Sequence, residues 1–434
     1  MTQVRPAHPH YEADMLSVEA ARERILSFFS VLTPHERPLL EAVGQVIAED
    51  VMSPLDLPQW PNSGMDGYAL QAEDIAAASQ GSPALLRVIG SVAAGQVPTT
   101  VVARGTAVRI MTGAAIPRGA DTVVAFEDTD ELERKASGRG LETIGIRKAE
   151  RLGVSVRPAG EDVRRGQRVL QAGSVLTPAG VGLAAAVGRT VVRVVRRPVV
   201  AILSTGDELQ TPGEALRPGR IYDVNGPSIA AAVTVAGGIP NLLGIARDDL
   251  HEMNAKISQG LAADVLLTSA GVSKGDYDFV KDVLAQRGSV EFWSVRMRPA
   301  KPLAFGVLRG PSGRMVPHIG LPGNPVSAMV AFEQLCRPAL LKMQGRIRLD
   351  RPVVDAILED AIQNTDGRRV YARVRVTERD GRRYARLTGP QGSNVLSPLS
   401  RANGLAVCPE HVSVLKPGET VRVQMIDWPE EVVL

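Results

Sequence analysis

The sequence predicts a multidomain α/β protein with a central doubly wound, mostly parallel α/β domain, an inserted β domain, a discontinuous helical/β first domain and a C-terminal β domain. Three observations predict it. Between 191 and 345, apolar β-branched runs alternate with helical stretches, the βαβ pattern that builds a parallel sheet covered on both faces. On either side of that segment, short alternating runs are separated by turn residues, as in small β domains. The 434 residues exceed one ordinary core, and 42 Gly with 30 Pro supply many turns.

Residues 14–30 set Met15, Val18, Ile25, Leu26 and Phe29 at helical spacing, which predicts an amphipathic helix, and 38–48 reads as a second helical piece. The proline-rich SPLDLPQWPNSGMDGYAL that follows reads as a fixed loop holding Asp66 between Trp60 and Tyr68. Runs at 85–90, 107–111, 122–126, 141–146 and 155–157 predict strands, mostly of an inserted β domain spanning 51–154. VRPAGEDVRRG then places Glu161 and Asp162 in a Gly-flanked loop. Residues 177–187 read as a helix with Thr177 as N-cap and Pro178 at the first position. If that helix packs on 14–48, residues 1–50 and 155–190 form one discontinuous domain and the β domain is an insertion in it.

Within 191–345, strands are predicted at 199–203, 241–246, 264–268, 290–297 and 315–319. Helices are predicted at 225–236, capped by Asn225, and at 250–261, 279–286 and 326–342. Ligands of a doubly wound sheet sit outside the carboxyl ends of its strands. Four loops converge there: 205–208, 247–249, 269–278 and 322–324. In DVLLTSAGVSKGDYD a buried strand runs straight into small residues, Ser269-Ala270-Gly271, that let a ligand approach the backbone. Ser273, Lys274, Asp276 and Asp278 follow, so phosphate-type donors and metal-type acceptors share one loop. Beyond 346, strands at 352–358, 370–377, 382–387, 405–408 and 421–426, with a hairpin turn at Arg379-Asp380-Gly381, predict a C-terminal β domain of 346–434.

Composition excludes several function classes. Net charge is +3, and the short basic runs at 193–197 and 346–351 flank domain edges, which argues for solvated linkers and against a nucleic-acid face. No stretch approaches the roughly 18 uninterrupted apolar residues of a membrane helix, and the N-terminus lacks the apolar core of a signal peptide. Two cysteines, Cys336 and Cys408, make no disulfide framework or CxxC site, which fits a reducing cytoplasm. His318 lies in an apolar strand and reads as a core residue. There is no Walker A lysine motif, no G-x-G-x-x-G after a strand and no G-x-S-x-G.

Acids crowd the strand-end loops: Asp207, Glu208, Asp248, Asp249, Asp276 and Asp278. Helix capping accounts equally well for Asp248 or Asp249 taken alone. Three acidic loops on one sheet edge, however, would repel unless a cation lay between them. A hard, oxygen-preferring ion such as Mg²⁺, shared with substrate phosphates, is the economical candidate. Arg298 and Lys301, in RMRPAKPLAFG, are cations beside prolines and point to an anion site.

The segments PNSGMDGYA, RIMTGAAIP, RPAGEDV, STGDEL, RIYDVN, GVSKGDYD, KPLAFG, GLPGNPVSA and QGSN, in this order and spacing, resemble the molybdopterin molybdenumtransferases, whose eukaryotic counterparts include the E domain of gephyrin. The resemblance implies Mg²⁺-dependent insertion of molybdate into adenylylated molybdopterin with release of AMP, by a homodimer of elongated four-domain subunits whose site lies between subunits. Position by position, it implies Asp66, Asp162, Glu208, Asp248, Asp278 and Lys301 as catalytic groups, with Asp248 and Asp278 on the magnesium side. Ser273, Lys301, Arg368 and Ser393 match positions around the oxyanion or phosphates, and Pro322 and Pro325 shape the adjacent wall. Thr205, Gly206, Ser269, Gly271, Arg298, Gly323 and Asn324 complete the implied substrate-binding set. Partners implied are the molybdopterin adenylyltransferase and recipient molybdoenzymes, with no nucleic acid and no membrane.

The chain departs from the family pattern at three places. Ser269-Ala270-Gly271 stands where the family usually has Ser-Gly-Gly, and Arg298-Pro299-Ala300-Lys301-Pro302 where it usually has Lys-Pro-Gly-Lys-Pro. An arginine presents a planar fork and a lysine a point charge, so oxyanion geometry at Arg298 differs from the usual one. Two other readings stay open: the molybdopterin adenylyltransferase, which predicts a freestanding α/β domain, and a non-catalytic scaffold, which predicts loss of the acidic set.

Overall fold

The structure, a computed structural model, describes residues 15–247, 249–270 and 287–427. Its centre is a seven-stranded sheet in the order Met15–Leu16, Gly288–Val295, Pro302–Arg309, Met315–Leu321, Val265–Ser269, Val199–Thr205, Ile239–Ala246. Val265–Ser269 is buried throughout and Val199–Thr205 nearly so, as apolar strands covered on both faces must be. Ser204 pairs with Ser269, and Ser269 with Leu321, so three parallel strands end level and their loops open on one edge.

The sheet differs from the sequence reading in one stretch. Pro302–Arg309, which the sequence reading assigned to no element, is a strand antiparallel to both its neighbours, with Pro302 at its first position, where a missing N–H is tolerated. The strand expected at 290–297 divides: Gly288–Val295 stays in the central sheet, while Met297–Arg298 pairs with Arg369 and Val370 of the C-terminal sheet. The predicted helix at 279–286 lies outside the described residues. That expected at 326–342 forms as Pro325–Ala331 and Arg337–Met343 joined by a π-helical turn, Phe332–Cys336.

Helix Val18–Ser27 starts where Ser17 accepts a hydrogen bond from the Ala20 N–H at 3.0 Å. Its Val18, Ala21 and Ile25, with Phe29, join Val200, Ile229, Val295 and Phe332 in one core, so this helix belongs to the α/β unit. The second helical piece, expected at 38–48, is absent. Pro34–Pro38 is a strand against Val191–Val195, followed by a single turn that Gly44, at φ 79°, ends. Leu39, Ala42, Ile47 and Val51 pack there on Leu176, Ala184, Val192 and Val194. Helix Pro178–Ala186 therefore packs on 39–51 rather than on all of 14–48. It begins as the sequence predicts, with Thr177 accepting from the Gly180 N–H at 3.2 Å.

The inserted five-stranded sheet runs Thr122–Ala125, Gly67–Leu70, Thr106–Ile110, Ala84–Val92, Thr143–Ile146. Gly67–Leu70 was hidden in the proline-rich stretch and is fully buried. A Cβ at Gly67 would fall 1.9 Å from the Val124 carbonyl oxygen, so only glycine fits the start of this strand, immediately after Asp66. The C-terminal sheet closes on itself through pairing of Arg369–Arg379 with both Arg382–Leu387 and Gly404–Cys408. Asp380 and Gly381, at φ 52° and 70°, make the expected hairpin turn. Among the described residues, no helix is long and apolar enough to cross a membrane.

Candidate active site

Where the carboxyl edge of the central sheet faces the C-terminal barrel, a cleft of about 1210 Å³ opens. Thr205 and Ser269 sit at the ends of adjacent parallel strands, and the Thr205 hydroxyl donates to the Ser269 carbonyl at 3.1 Å. Glu208 follows on the Thr205 loop. Gly206 there sits at φ 142°, a conformation that residues with a side chain rarely adopt. The 322–325 loop crosses to the barrel: Asn324 Nδ2 donates to Ser393 Oγ at 3.2 Å, and the Val326 N–H to the Ser393 carbonyl at 3.1 Å.

Two residues in this wall were read differently, or not singled out, from the sequence. Asn225 does not cap its helix; Asp223 does, its Oδ1 accepting from the N–H groups of Asn225 and Gly226, each at 3.0 Å. Asn225 instead turns its side chain to Ser269 Oγ and the Gly323 carbonyl, both 2.7 Å away. RIYDVN carried this signal, since Asp-x-Asn before a helix offers two candidates for the cap. The other acid expected at a helix start, Asp249, does cap, accepting from the Glu252 N–H at 2.7 Å.

The opposite wall is cationic. Arg298 donates to Thr365 Oγ1 at 2.9 Å and to the Gln363 carbonyl, and stands 3.8 Å from Asp366. Arg368 donates to the same Asp366 at 3.0 Å and to the Met297 carbonyl at 3.2 Å. Burial alone would raise the Asp366 carboxyl, but hydrogen bonding and charge from Arg368, with charge from Arg298, hold it below its usual range. Lys301 lines the cleft beside them.

Arg373, which the sequence reading passed over, is different. Its side chain is 1% exposed, Nη2 donates to the carbonyls of Pro390 and Gly392 at 3.3 and 3.0 Å, and Nε has no partner. No carboxylate among the described residues pairs with it. Burial pulls its pKa down to about 10, which still leaves a cation at neutral pH.

The structure thus brings Thr205, Glu208, Ser269, Arg298, Lys301, Pro322, Gly323, Asn324, Pro325, Arg368 and Ser393 to one cleft. Asp66 and Asp162 do not line it. Asp66 accepts from the Thr112 N–H at 2.6 Å and its hydroxyl at 2.8 Å, bonds that hold its carboxyl below the usual range. Asp162 is exposed, its N–H donating to the Leu57 carbonyl at 3.0 Å. Asp248, Gly271, Ser273 and Asp278 lie outside the described residues. Both alanines that depart from the family pattern, Ala270 and Ala300, line the cleft in the left-handed region, at φ 72° and 83°.

Comparison with known proteins agrees along the chain. Residues 16–188 match the MoeA N-terminal region (domain I and II), 201–342 the probable molybdopterin binding domain, and 355–426 the MoeA C-terminal region (domain IV). Molybdopterin molybdenumtransferase 2 of Mycobacterium tuberculosis is 37% identical over 416 residues, covering 94% of this chain and 99% of that one. The molybdopterin molybdenumtransferase of a Nostoc species is 35% identical over 429 residues, 96% and 95% of the two chains. Two crystal structures of molybdopterin biosynthesis MoeA protein from Pyrococcus horikoshii superpose with TM-scores of 0.79 and 0.75 at 34% and 29% identity, covering 96% and 95% of this chain and 100% of each. A cleft with an acidic sheet edge and a cationic barrel wall, on a chain matched from end to end in this way, belongs to a member of the molybdopterin molybdenumtransferase family, an enzyme of molybdenum cofactor biosynthesis.

Proposed function

We propose that the cleft binds adenylylated molybdopterin and molybdate, that Mo–S bonds to the dithiolene replace Mo–O bonds whose oxygen leaves as water with the thiol protons, and that water hydrolyses the phosphoanhydride so that AMP leaves. The observation that carries this reading is Arg373, a buried cation that lines the cleft with Lys301 and Ser393 and that no carboxylate among the described residues pairs. A desolvated guanidinium in that state is matched by an oxyanion such as molybdate or a phosphate.

The cleft donors also fit Mg²⁺. Glu208, Asp223 and Ser269 present oxygen, and among the described residues no His or Cys lines the space. Asp248 and Asp278 would hold the ion; among the described residues, no group of three or more His, Cys, Asp or Glu forms a metal site by itself. Bound there, Mg²⁺ would neutralise charge on the substrate phosphates. Glu208 orients the substrate, and the Arg373 wall holds the oxyanion away from water. The two buried free cysteines suit a cytoplasmic setting, with the adenylyltransferase delivering substrate and molybdoenzymes receiving product.

Asp66 and Asp162, which lie away from their own chain's cleft, act in this reading on the cleft of a second copy in a homodimer. The test is incubation of purified protein with adenylylated molybdopterin, molybdate and Mg²⁺, with AMP and reconstitution of an apo-molybdoenzyme as readouts. Absence of both from active-condition assays overturns the reading. Asp66→Ala and Asp278→Ala homodimers should each be inactive, and subunit exchange between them should restore about a quarter of wild-type activity, since half the dimers are mixed and each holds one intact site.

A further inference from the structure

Asn225 has 7% of its surface exposed, and its backbone N–H is anchored on Asp223 Oδ1 at 3.0 Å, so it has little freedom to turn. Its Nδ2 lies 2.7 Å from both the Gly323 carbonyl oxygen and Ser269 Oγ. A carbonyl oxygen only accepts, so the group facing Gly323 is the NH₂, and this contact fixes which way the amide points. Ser269 Oγ, reached by the same NH₂, is then an acceptor as well.

That fixes the serine. A hydroxyl has one proton, and Ser269 cannot return it to the amide that donates to it. Among the described residues no other acceptor faces Ser269 Oγ, and the side chain lines the cleft while being only 2% exposed. Asn225 Oδ1 meanwhile is buried with no partner among the described residues. Leaving a buried acceptor unpaired is costly, so a side chain that merely filled space here would be better replaced by an apolar one.

We propose that Asn225 is a positioning residue that clamps the Ser269 and Gly323 loops together and holds the Ser269 hydroxyl as a hydrogen donor toward an anionic group of the substrate. This rests on the function proposed above. A hydrogen bond to a charged group contributes enough that its loss raises Kd about tenfold or more.

The test titrates the full-length protein, by calorimetry, with adenylylated molybdopterin and separately with AMP. The variants are Asn225→Ala, Asn225→Asp, Ser269→Ala and the double Asn225→Ala/Ser269→Ala. Each single alanine variant should weaken binding of the adenylylated pterin about tenfold, raising KM more than it lowers kcat, and the double should be no weaker than either single. Asn225→Asp should be the weakest binder, because a carboxylate there would draw the Ser269 proton back out of the cleft. Wild-type affinity in Ser269→Ala overturns the inference with no Asn225 variant needed, as do single effects that multiply in the double. If the wild type binds neither probe, the functional reading falls and this inference with it; wild-type binding with an unchanged Asn225→Ala removes the inference alone.

Discussion

Two buried charged groups in this protein are treated in opposite ways. Glu131, in the inserted β domain, is 1% exposed and fully met: Arg109 donates to it at 2.9 Å, Lys135 at 2.5 Å and the Tyr68 hydroxyl at 2.7 Å. Burial alone would raise its carboxyl, but these partners pull it down to about 2, and the same contact and burial push the Tyr68 phenol above its ordinary range. Arg373 in the cleft is equally hidden, yet among the described residues its Nη2 meets two carbonyl oxygens and its Nε has no partner. Burial of charge therefore does not by itself mark a site. The counter-charge separates them: Glu131 is met by three donors and serves the fold, whereas no carboxylate among the described residues pairs with Arg373, which in the function proposed above meets the substrate's anion.

The largest expected effect tests the first half of that contrast. Glu131→Ala strands the partly buried Arg109 and the buried Tyr68 hydroxyl and should cost about 3–5 kcal/mol of stability. Chemical denaturation measures it, and the fraction that stays folded should turn over normally. A loss under 1 kcal/mol would make the network ornamental. The pH dependence carries the same information with its sign set by the depressed carboxyl. The contribution of Glu131 is present above its unfolded pKa near 4.5 and is lost as pH falls toward about 2, by about 3 kcal/mol over that window. Wild type should lose stability there more steeply than Glu131→Gln in unfolding curves taken at pH 5, 4 and 3.

The second half predicts the reverse pairing of stability and activity. Arg373→Met should lower kcat/KM about a hundredfold, and leave the melting temperature unchanged or raised because an unpaid desolvation is removed. A destabilised but active variant would make Arg373 a structural residue. The smallest effect concerns the backbone of the same cleft. Ala270→Gly and Ala300→Gly each relieve a left-handed alanine, a cost of about 1–2 kcal/mol that glycine's greater chain entropy partly cancels. Each should gain about 0.5–1 kcal/mol in thermal unfolding. A loss would show that the methyl groups pack usefully against the loop.

Much of this was legible in the sequence where the signal is local. Thr177-Pro178 and Arg379-Asp380-Gly381 each specify a backbone conformation through neighbouring residues, and both formed as read. Glu208, Ser269 and Pro322 were placed at one edge by the βαβ pattern, because strand order and loop position follow from that alternation. What failed was long-range. Prolines around Gly67–Leu70 read as loop residues, and only pairing with distant strands reveals this stretch as sheet. In GRRVYARVRV, no local feature tells which arginine the closed barrel will bury. Arg373 and Arg375 both sit in apolar alternation, yet only Arg373 ends inside, and this depends on the pairing of Arg369–Arg379 with Gly404–Cys408.

The two-residue strand Met297–Arg298 also bears on how the molecule bends. One residue after leaving the central sheet at Val295, the chain is hydrogen-bonded into the barrel, with the Arg369 N–H on the Arg296 carbonyl at 3.1 Å. Asn324 on Ser393, Gln334 on Gln424 at 2.8 Å, and the ion pair of Arg369 with Glu19 fasten the same two bodies at separate points. Contacts at several separate points, one of them main chain, oppose a hinge between the two bodies, so the spacing of the two cleft walls is fixed by the same bonds that fold the chain.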